Sequence, residues 1–280
     1  MHSEDSAIIQ DIAPHILQNQ YQNIRPAEQD PVFCFRNESI LLQTEGNHIS
    51  FPLLEQLNVN KEKLIYLFSL DSKPLFLCLE EAGADGFAYV SFNEIRRQNL
   101  QPEETVYAIF TAYHLAAWYT TSRYCGKCGH ETVHDEKERA MRCPACGNLI
   151  YPRINPAVIV GVLNKDRILI TRYARGYGGN ALIAGFTEIG ETFEETVARE
   201  VMEEAGINVK NIRYYKSQPW GPASDILAGY YCDVDGDDTI TVDYNELRTA
   251  EWIKREDVVL QSNDYSLTNE MMKMFKEGKI

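Results

Sequence analysis

The sequence predicts an α+β protein in three consecutive parts, and three observations point there. Residues 1–120 alternate short apolar strand patterns and then close on one helical pattern, which predicts a small N-terminal α+β domain. Residues 121–150 carry two C-x-x-C pairs, the pattern of a four-thiolate zinc ribbon. Residues 151–280 place strand patterns on either side of an acidic amphipathic helix and end on another helix, which predicts a mixed sheet packed between helices.

Composition narrows the class. The chain has 280 residues, 44% hydrophobic and 24% charged, ordinary for a soluble globular protein of more than one domain. No apolar run approaches the roughly 20 residues of a membrane span. The opening stretch, MHSEDSAIIQDIAPHILQNQ, has acids where a signal peptide has basic residues, so a cytoplasmic protein is expected. Forty-one acidic against 27 basic side chains give a net charge of −14, which argues against a broad nucleic-acid surface. Four of the seven cysteines fall in the C-x-x-C pairs, while Cys34, Cys78 and Cys232 are scattered. That grouping points to metal ligation in a reducing compartment, not to disulfides.

In the first part, residues 31–42 and 48–54 read as strands. Residues 63–70 and 74–79 read as a hairpin around Asp71-Ser72-Lys73, and residues 87–92 as a further strand. Residues 105–122 read as a helix with Val106, Ile109, Phe110, Tyr113 and Ala117 at helical spacing. Pro102, Glu103 and Glu104 suit its first turn, where anions meet the positive end of the dipole. His114 on this helix is expected to be structural. The segment carries no catalytic constellation and reads as a scaffold, an oligomerisation element or a gate to substrate.

Cys125, Cys128, Cys143 and Cys146 make C-x2-C-x14-C-x2-C. Four thiolates close a tetrahedral shell and leave no open position, so the expected zinc is structural. Lys127, Lys137, Arg139 and Arg142 are balanced by Glu131, Asp135, Glu136 and Glu138, which disfavours nucleic-acid binding by this ribbon. His130 and His134 are expected at the surface.

In the third part, residues 157–163 and 167–171 read as strands joined by Asn164-Lys165-Asp166. Residues 212–215, 226–234 and 239–242 offer more strands, and residues 266–277 a closing helix. The acidic helix has marked ends: Thr192 and Glu195 form a capping box, and Gly206 suits a left-handed end. Val197, Ala198, Val201, Met202 and Ala205 are expected on its buried arc. Arg199, Glu200, Glu203 and Glu204 are expected on the charged one. Carboxylates at such spacing repel by a few tenths of a kcal/mol per pair, and their crowding points to a bound cation.

The run Gly185-x5-Glu191-x7-Arg199-Glu200-Val201-Met202-Glu203-Glu204-Ala205-Gly206-Ile207 resembles the Nudix box G-x5-E-x7-R-E-U-x-E-E-x-G-U at every specified position. The resemblance implies an α/β/α sandwich with a mixed sheet, and hydrolysis of a nucleoside diphosphate linked to another group. It implies Mg2+ or Mn2+ held by Glu200 and Glu204, with Glu203 as a further ligand or base. Arg199 would pair with Glu191 or Glu203, and the Ala184 carbonyl and Glu246 would complete the metal shell. A zinc ribbon before such a domain, followed by Ser217-Gln218-Pro219-Trp220, resembles the NADH pyrophosphatase, or NAD(+) diphosphatase, family.

That family carries S-Q-P-W-P-F-P-x-S where this chain has S-Q-P-W-G-P-A-S. Gly221 thus replaces a proline and the segment is one residue shorter. The resemblance is close over residues 119–260 and looser over the first 115, where it rests on domain order. It implies substrate contacts from Gln218, Pro219, Trp220, Gly221, Pro222, Ala223, Ser224 and Thr268. It also implies a nicotinamide sandwiched by the rings of Tyr151 and Phe186. The implied activity is hydrolysis of NADH or NAD+ to the (reduced) nicotinamide mononucleotide and AMP, with NAD-cap removal from RNA as a related activity. The implied assembly is a homodimer. The altered Gly221–Ser224 stretch leaves room for another substrate, such as ADP-ribose or a diadenosine polyphosphate. A nucleotide sensor without catalysis is the reading of a different class, and the intact carboxylate set speaks against it.

Overall fold

The computed structural model describes residues 8–98, 100–262 and 264–280; the first seven residues of the acidic opening stretch lie outside them. The chain forms two compact units. One holds Ile9–Arg153 together with Gly221–Ser224, and the other holds Ile154–Trp220 and Asp225–Ile280. Among the described residues no helix is long and apolar enough to cross a membrane.

The first unit is built on strands β1 (Leu17–Gln18), β2 (Val32–Arg36), β3 (Ser39–Glu45), β4 (His48–Ser50), β5 (Ile65–Leu70), β6 (Lys73–Cys78) and β7 (Ala88–Ser91). They order as β1-β5-β6-β2-β3-β4, with β7 against β3. The expected hairpin is β5–β6, and Asp71 and Ser72 take the positive φ of its tight turn. The expected strand over 48–54 stops at Ser50, because Leu54–Gln56 turns into a 3-10 helix. The expected strand over 87–92 stops at Ser91, whose hydroxyl accepts the Glu94 N–H and starts helix α1 (Phe92–Arg97).

The longer helix α2 (Glu103–Thr121) begins after Pro102 and buries Val106, Ile109 and Phe110. The rings of Phe35, Phe92, Phe110 and Tyr113 pack at centroid distances of 4.3–6.2 Å. His114 spends Nε2 on the Arg153 carbonyl at 2.7 Å, a structural bond. The ribbon adds β8 (Val133–His134), β9 (Met141–Arg142) and β10 (Leu149–Ile150) as a small antiparallel sheet.

The second unit holds β11 (Asn155–Asn164), β12 (Arg167–Tyr173), β13 (Ile183–Phe186), α3 (Phe193–Ala205), β14 (Val209–Trp220), β15 (Asp225–Val234), β16 (Leu247–Lys254) and α4 (Leu267–Lys276). The sheet orders as β14-β15-β11-β12-β16, with β13 against β11. Only β11–β15 is parallel, so the sheet is mixed. Alternation along β11 feeds two cores. Val158, Val160 and Val162 meet Val197, Val201 and Ala205 of α3. On the other face, Ile159 and Leu163 join Met271, Met272 and Phe275 of α4. This is the expected α/β/α sandwich.

Three local readings are corrected. Residues 239–242 form no strand. Instead the Thr241 and Asp243 N–H groups donate to the Ala205 and Glu204 carbonyls at 2.8 and 3.1 Å, satisfying the open end of α3. The strand expected over 212–215 is only the middle of β14, which runs to Trp220. Register shifts near Lys210–Arg213 and Tyr214–Lys216 break its alternation. The buried arc of α3 is also rotated: Ala198 and Met202 are exposed, while Glu200 and Glu204 are buried. Val197, Glu200, Val201, Glu204 and Ala205 form the true i, i+3, i+4, i+7, i+8 stripe, and two of its members are acids.

Candidate active site

Arg199 is the centre of the acidic helix. Its Nε and Nη2 donate to both oxygens of Glu191 at 2.6 and 2.9 Å, a bidentate pair. Its Nη1 donates to Glu200 at 2.7 Å and to Glu203 at 2.9 Å. Nη2 also reaches the Phe186 carbonyl at 2.9 Å, tying α3 to the end of β13. The Arg199 guanidinium, helped by the Glu188 N–H, holds the Glu191 carboxyl down at about 2. Arg199 in turn is raised, chiefly by Glu191.

Glu200 and Glu204 turn from α3 toward the sheet. They are 7% and 2% exposed. A Cβ on Gly185 would stand 1.9 Å from the Glu200 Cδ, so only glycine lets this carboxylate lie against the β13 main chain beside Ala184. Burial is the largest cause raising both carboxyls. For Glu204, burial and the charges of Glu200 and Glu246 push it up to about 8. The Ala184 amide tempers that shift, yet neither Glu204 oxygen makes a hydrogen bond of normal geometry. Burial, with Glu204, Glu246 and Glu200 around it, also raises the Tyr173 phenol. Glu200 and Glu246 lie near enough to act on Glu204 electrostatically, although among the described residues only the four ribbon cysteines bring three or more ligand atoms within 4.8 Å of one another. Hard carboxylate oxygens with no protein cation on Glu204 suit a divalent metal ion. Glu203 is exposed and bonded to Arg199, and Glu246 is exposed on the loop ahead of β16.

The residues expected to bind substrate divide. Phe186 is exposed on β13 of the second unit, and Tyr151 is exposed in the first. Tyr151 donates its hydroxyl to Glu138 at 3.0 Å. Glu138 had only a charge-balancing part in the sequence reading, and nothing in its spacing marks this contact. Gln218 has a structural job: it is fully buried, donates to the Tyr265 carbonyl and accepts the Leu267 N–H at 2.9 and 2.8 Å. Pro219 is exposed and Trp220 half-buried at the end of β14, so this stretch is strand and not loop. Gly221–Ala223 forms a 3-10 turn in the first unit, with Gly221 buried, Pro222 and Ser224 half-buried and Ala223 exposed. Thr268 is half-buried at the start of α4, on the sheet face opposite α3.

In the ribbon, the four sulfurs of Cys125, Cys128, Cys143 and Cys146 lie within 4.8 Å of one another. The Cys125–Cys146 and Cys128–Cys143 separations are 3.7 and 3.4 Å. Tetrahedral Zn–S bonds of about 2.3 Å space sulfurs by roughly 3.8 Å, so the donor set fits zinc. Backbone N–H groups of Lys127 and Cys146 draw the Cys125 and Cys143 thiols down, toward the ligating thiolate.

Three outcomes follow from this geometry. In protein without Mg2+ or Mn2+ between pH 4.5 and about 8, the unfolded chain has released the Glu204 proton and the folded chain keeps it. Stability therefore falls as pH rises through that window. Thermal melts of zinc-loaded protein without added Mg2+ or Mn2+ should show this slope, and Glu204→Gln should flatten it while abolishing turnover. Gly185→Ala should displace Glu200 and cost about 10–100-fold in activity, with the circular dichroism spectrum kept. Stripping zinc should lower the melting temperature by about 10 °C or more, read by differential scanning calorimetry.

Known proteins share these features. The NUDIX domain model matches residues 153–275, and the NADH pyrophosphatase zinc ribbon domain model matches residues 120–151. With the four clustered sulfurs, the second match supports a structural zinc. The NAD-capped RNA hydrolase NudC of Haemophilus influenzae (strain PittEE) is 33% identical over 211 residues, 74% of this chain and 78% of that protein. The protein of the same name from Escherichia coli O9:H4 (strain HS) is 43% identical over 147 residues, 52% of this chain and 57% of that protein. A Nudix hydrolase crystal structure from Nitrosomonas europaea aligns with a TM-score of 0.49 at 21% identity, covering 55% of this chain and 91% of that one. The Arg199-centred box, the ribbon and the first of these relatives agree: the chain belongs to the NADH pyrophosphatase family of Nudix hydrolases.

Proposed function

We propose that this enzyme hydrolyses the pyrophosphate of NADH and NAD+ to the (reduced) nicotinamide mononucleotide and AMP, and that it removes NAD caps from RNA. The observation that carries the reading is the buried Glu200–Glu204 pair, with Glu204 unbonded, in a family whose relatives are named NAD-capped RNA hydrolases. Glu200, Glu203, Glu204, Glu246 and the Ala184 carbonyl would hold Mg2+ or Mn2+, which offsets pyrophosphate charge and lowers the pKa of the attacking water.

The chain's own groups do the rest. Arg199 holds Glu200 and Glu203 in register at 2.7 and 2.9 Å. Glu203 keeps one oxygen on Arg199 and can take the proton that water loses as it attacks phosphorus. The bridging P–O bond then breaks and releases the two mononucleotides. The family resemblance assigns the rings of Tyr151 and Phe186, each exposed in its own unit, to the nicotinamide. Pro219, Trp220, Pro222, Ala223 and Ser224, with Thr268, are assigned to the remaining substrate contacts. Gln218 supports them through its side-chain amide, which donates to the Tyr265 carbonyl and accepts the Leu267 N–H at the start of α4. A cytoplasmic homodimer and the division into 1–120, 121–150 and 151–280 belong to the same reading, supported by the cysteine usage and by the family resemblance.

Gly221, where the family pattern has proline, favours one second reading: cleavage of ADP-ribose or a diadenosine polyphosphate. The test separates them. Purified protein with Mn2+ receives NADH, NAD+, ADP-ribose, a diadenosine polyphosphate and an NAD-capped oligonucleotide in separate reactions, and products are weighed by mass spectrometry. AMP plus reduced nicotinamide mononucleotide, formed fastest from NADH, is the expected result. Cleavage of ADP-ribose with NADH and NAD+ left intact would sink the first reading.

A further inference from the structure

The Gly221–Ser224 turn continues from β14 and runs into β15, yet it packs into the first unit against α2. A Cβ built on Gly221 would lie 1.9 Å from the Phe110 carbonyl oxygen and 2.6 Å from its carbon. Both are main-chain atoms of a helix, so they cannot step aside as a side-chain end could. Gly221 is buried at this contact. Three residues later Ser224 holds φ at +63°, a left-handed conformation that costs a non-glycine residue energy. The Ser224 N–H closes the turn on the Gly221 carbonyl at 3.1 Å. A turn with one end against a helix backbone and the other in a disfavoured conformation is over-determined by its surroundings.

We infer that α2 holds the Gly221–Ser224 turn in the shape that meets the dinucleotide, making Gly221 a positioning residue for substrate affinity. It explains the glycine: the close approach of α2 excludes the side chain that the family pattern carries there. The inference rests on the reading that this turn contacts substrate.

Steady-state kinetics with NADH and Mn2+ test it. Gly221→Ala should raise KM by about ten- to a hundred-fold and leave kcat within about two-fold, the signature of lost binding with intact chemistry. The control is Gly83→Ala, in the same unit, where an added Cβ meets nothing within 4 Å, and it should match wild type. A Gly221→Ala protein with wild-type KM, or with reduced kcat and unchanged KM, would overturn the inference. If Gly221→Ala does not fold, Ser224→Val and Ser224→Ala decide. Both lose the hydroxyl, but the β-branched residue tolerates the left-handed turn least. A larger KM rise for Val supports turn shape; equal effects assign the loss to the hydroxyl and overturn it. Wild-type protein that leaves NADH uncleaved would count against the functional reading instead, so the two failures are separable.

Discussion

Carboxylates crowded on one short helix repel each other, and the fold meets that constraint with a single guanidinium. Arg199 bonds Glu191, Glu200 and Glu203 at once. Glu191 lies in the loop ahead of α3, and the Phe186 carbonyl lies at the end of β13, so the same side chain fixes loop, strand and helix together. The geometry of Glu200 follows from this anchor and from the bare backbone at Gly185 that receives it. An Arg→Lys change could not reproduce it, because a lysine lacks the planar fork that grips Glu191 with two nitrogens while a third bond goes to Glu203.

Glu204 sits outside that network and is the opposing term. A buried carboxylate without a partner costs several kcal/mol when charged, so it responds by holding its proton. The cost is met by its neighbours on the same stripe, since Val197, Val201 and Ala205 are fully buried against β11. Both ends of α3 are also closed. The Thr192–Glu195 capping box serves the N-terminus, and the Thr241 and Asp243 amides serve the last carbonyls. Close packing and closed helix ends thus surround a residue that opposes folding when charged. A cation bound by the folded state alone would reverse the balance by mass action.

Much of this was legible in the sequence, for a physical reason. Caps, cysteine pairs and the spacing from Gly185 to Ile207 are local, and a local pattern reports local geometry. The ribbon's four sulfurs and both ends of α3 stand where spacing put them. What escaped was set by partners far along the chain. Strand β13 is four residues long and β16 is poor in apolar alternation, so neither stood out before β11 and β12 were seen to pair with them. Residues 239–242 look like a strand because they are β-branched, but their donors go to helix carbonyls. The apolar side chains of α3 point to an arc that includes Ala198 and Met202, yet both are exposed. The helical stripe was present at 197, 200, 201, 204 and 205, and a site that buries acids defeats the polarity rule.

Gly185 and Gly221 show how far such reasoning extends. Each is glycine because a Cβ would collide with a close neighbour, a side-chain carboxylate at Gly185 and a helix main chain at Gly221. At Gly185 the neighbour is Glu200, within the same motif, so the glycine belongs to the recognisable spacing. At Gly221 the neighbour is the Phe110 carbonyl, distant in sequence, so the glycine looked like a departure in a substrate segment. Read from the motif alone, that departure suggested a different substrate. Read from the packing, it is the residue that the α2 main chain demands. A change within a recognised motif can therefore record the shape of its support as much as the shape of its ligand. Only the first cause is visible once the chain is folded around it.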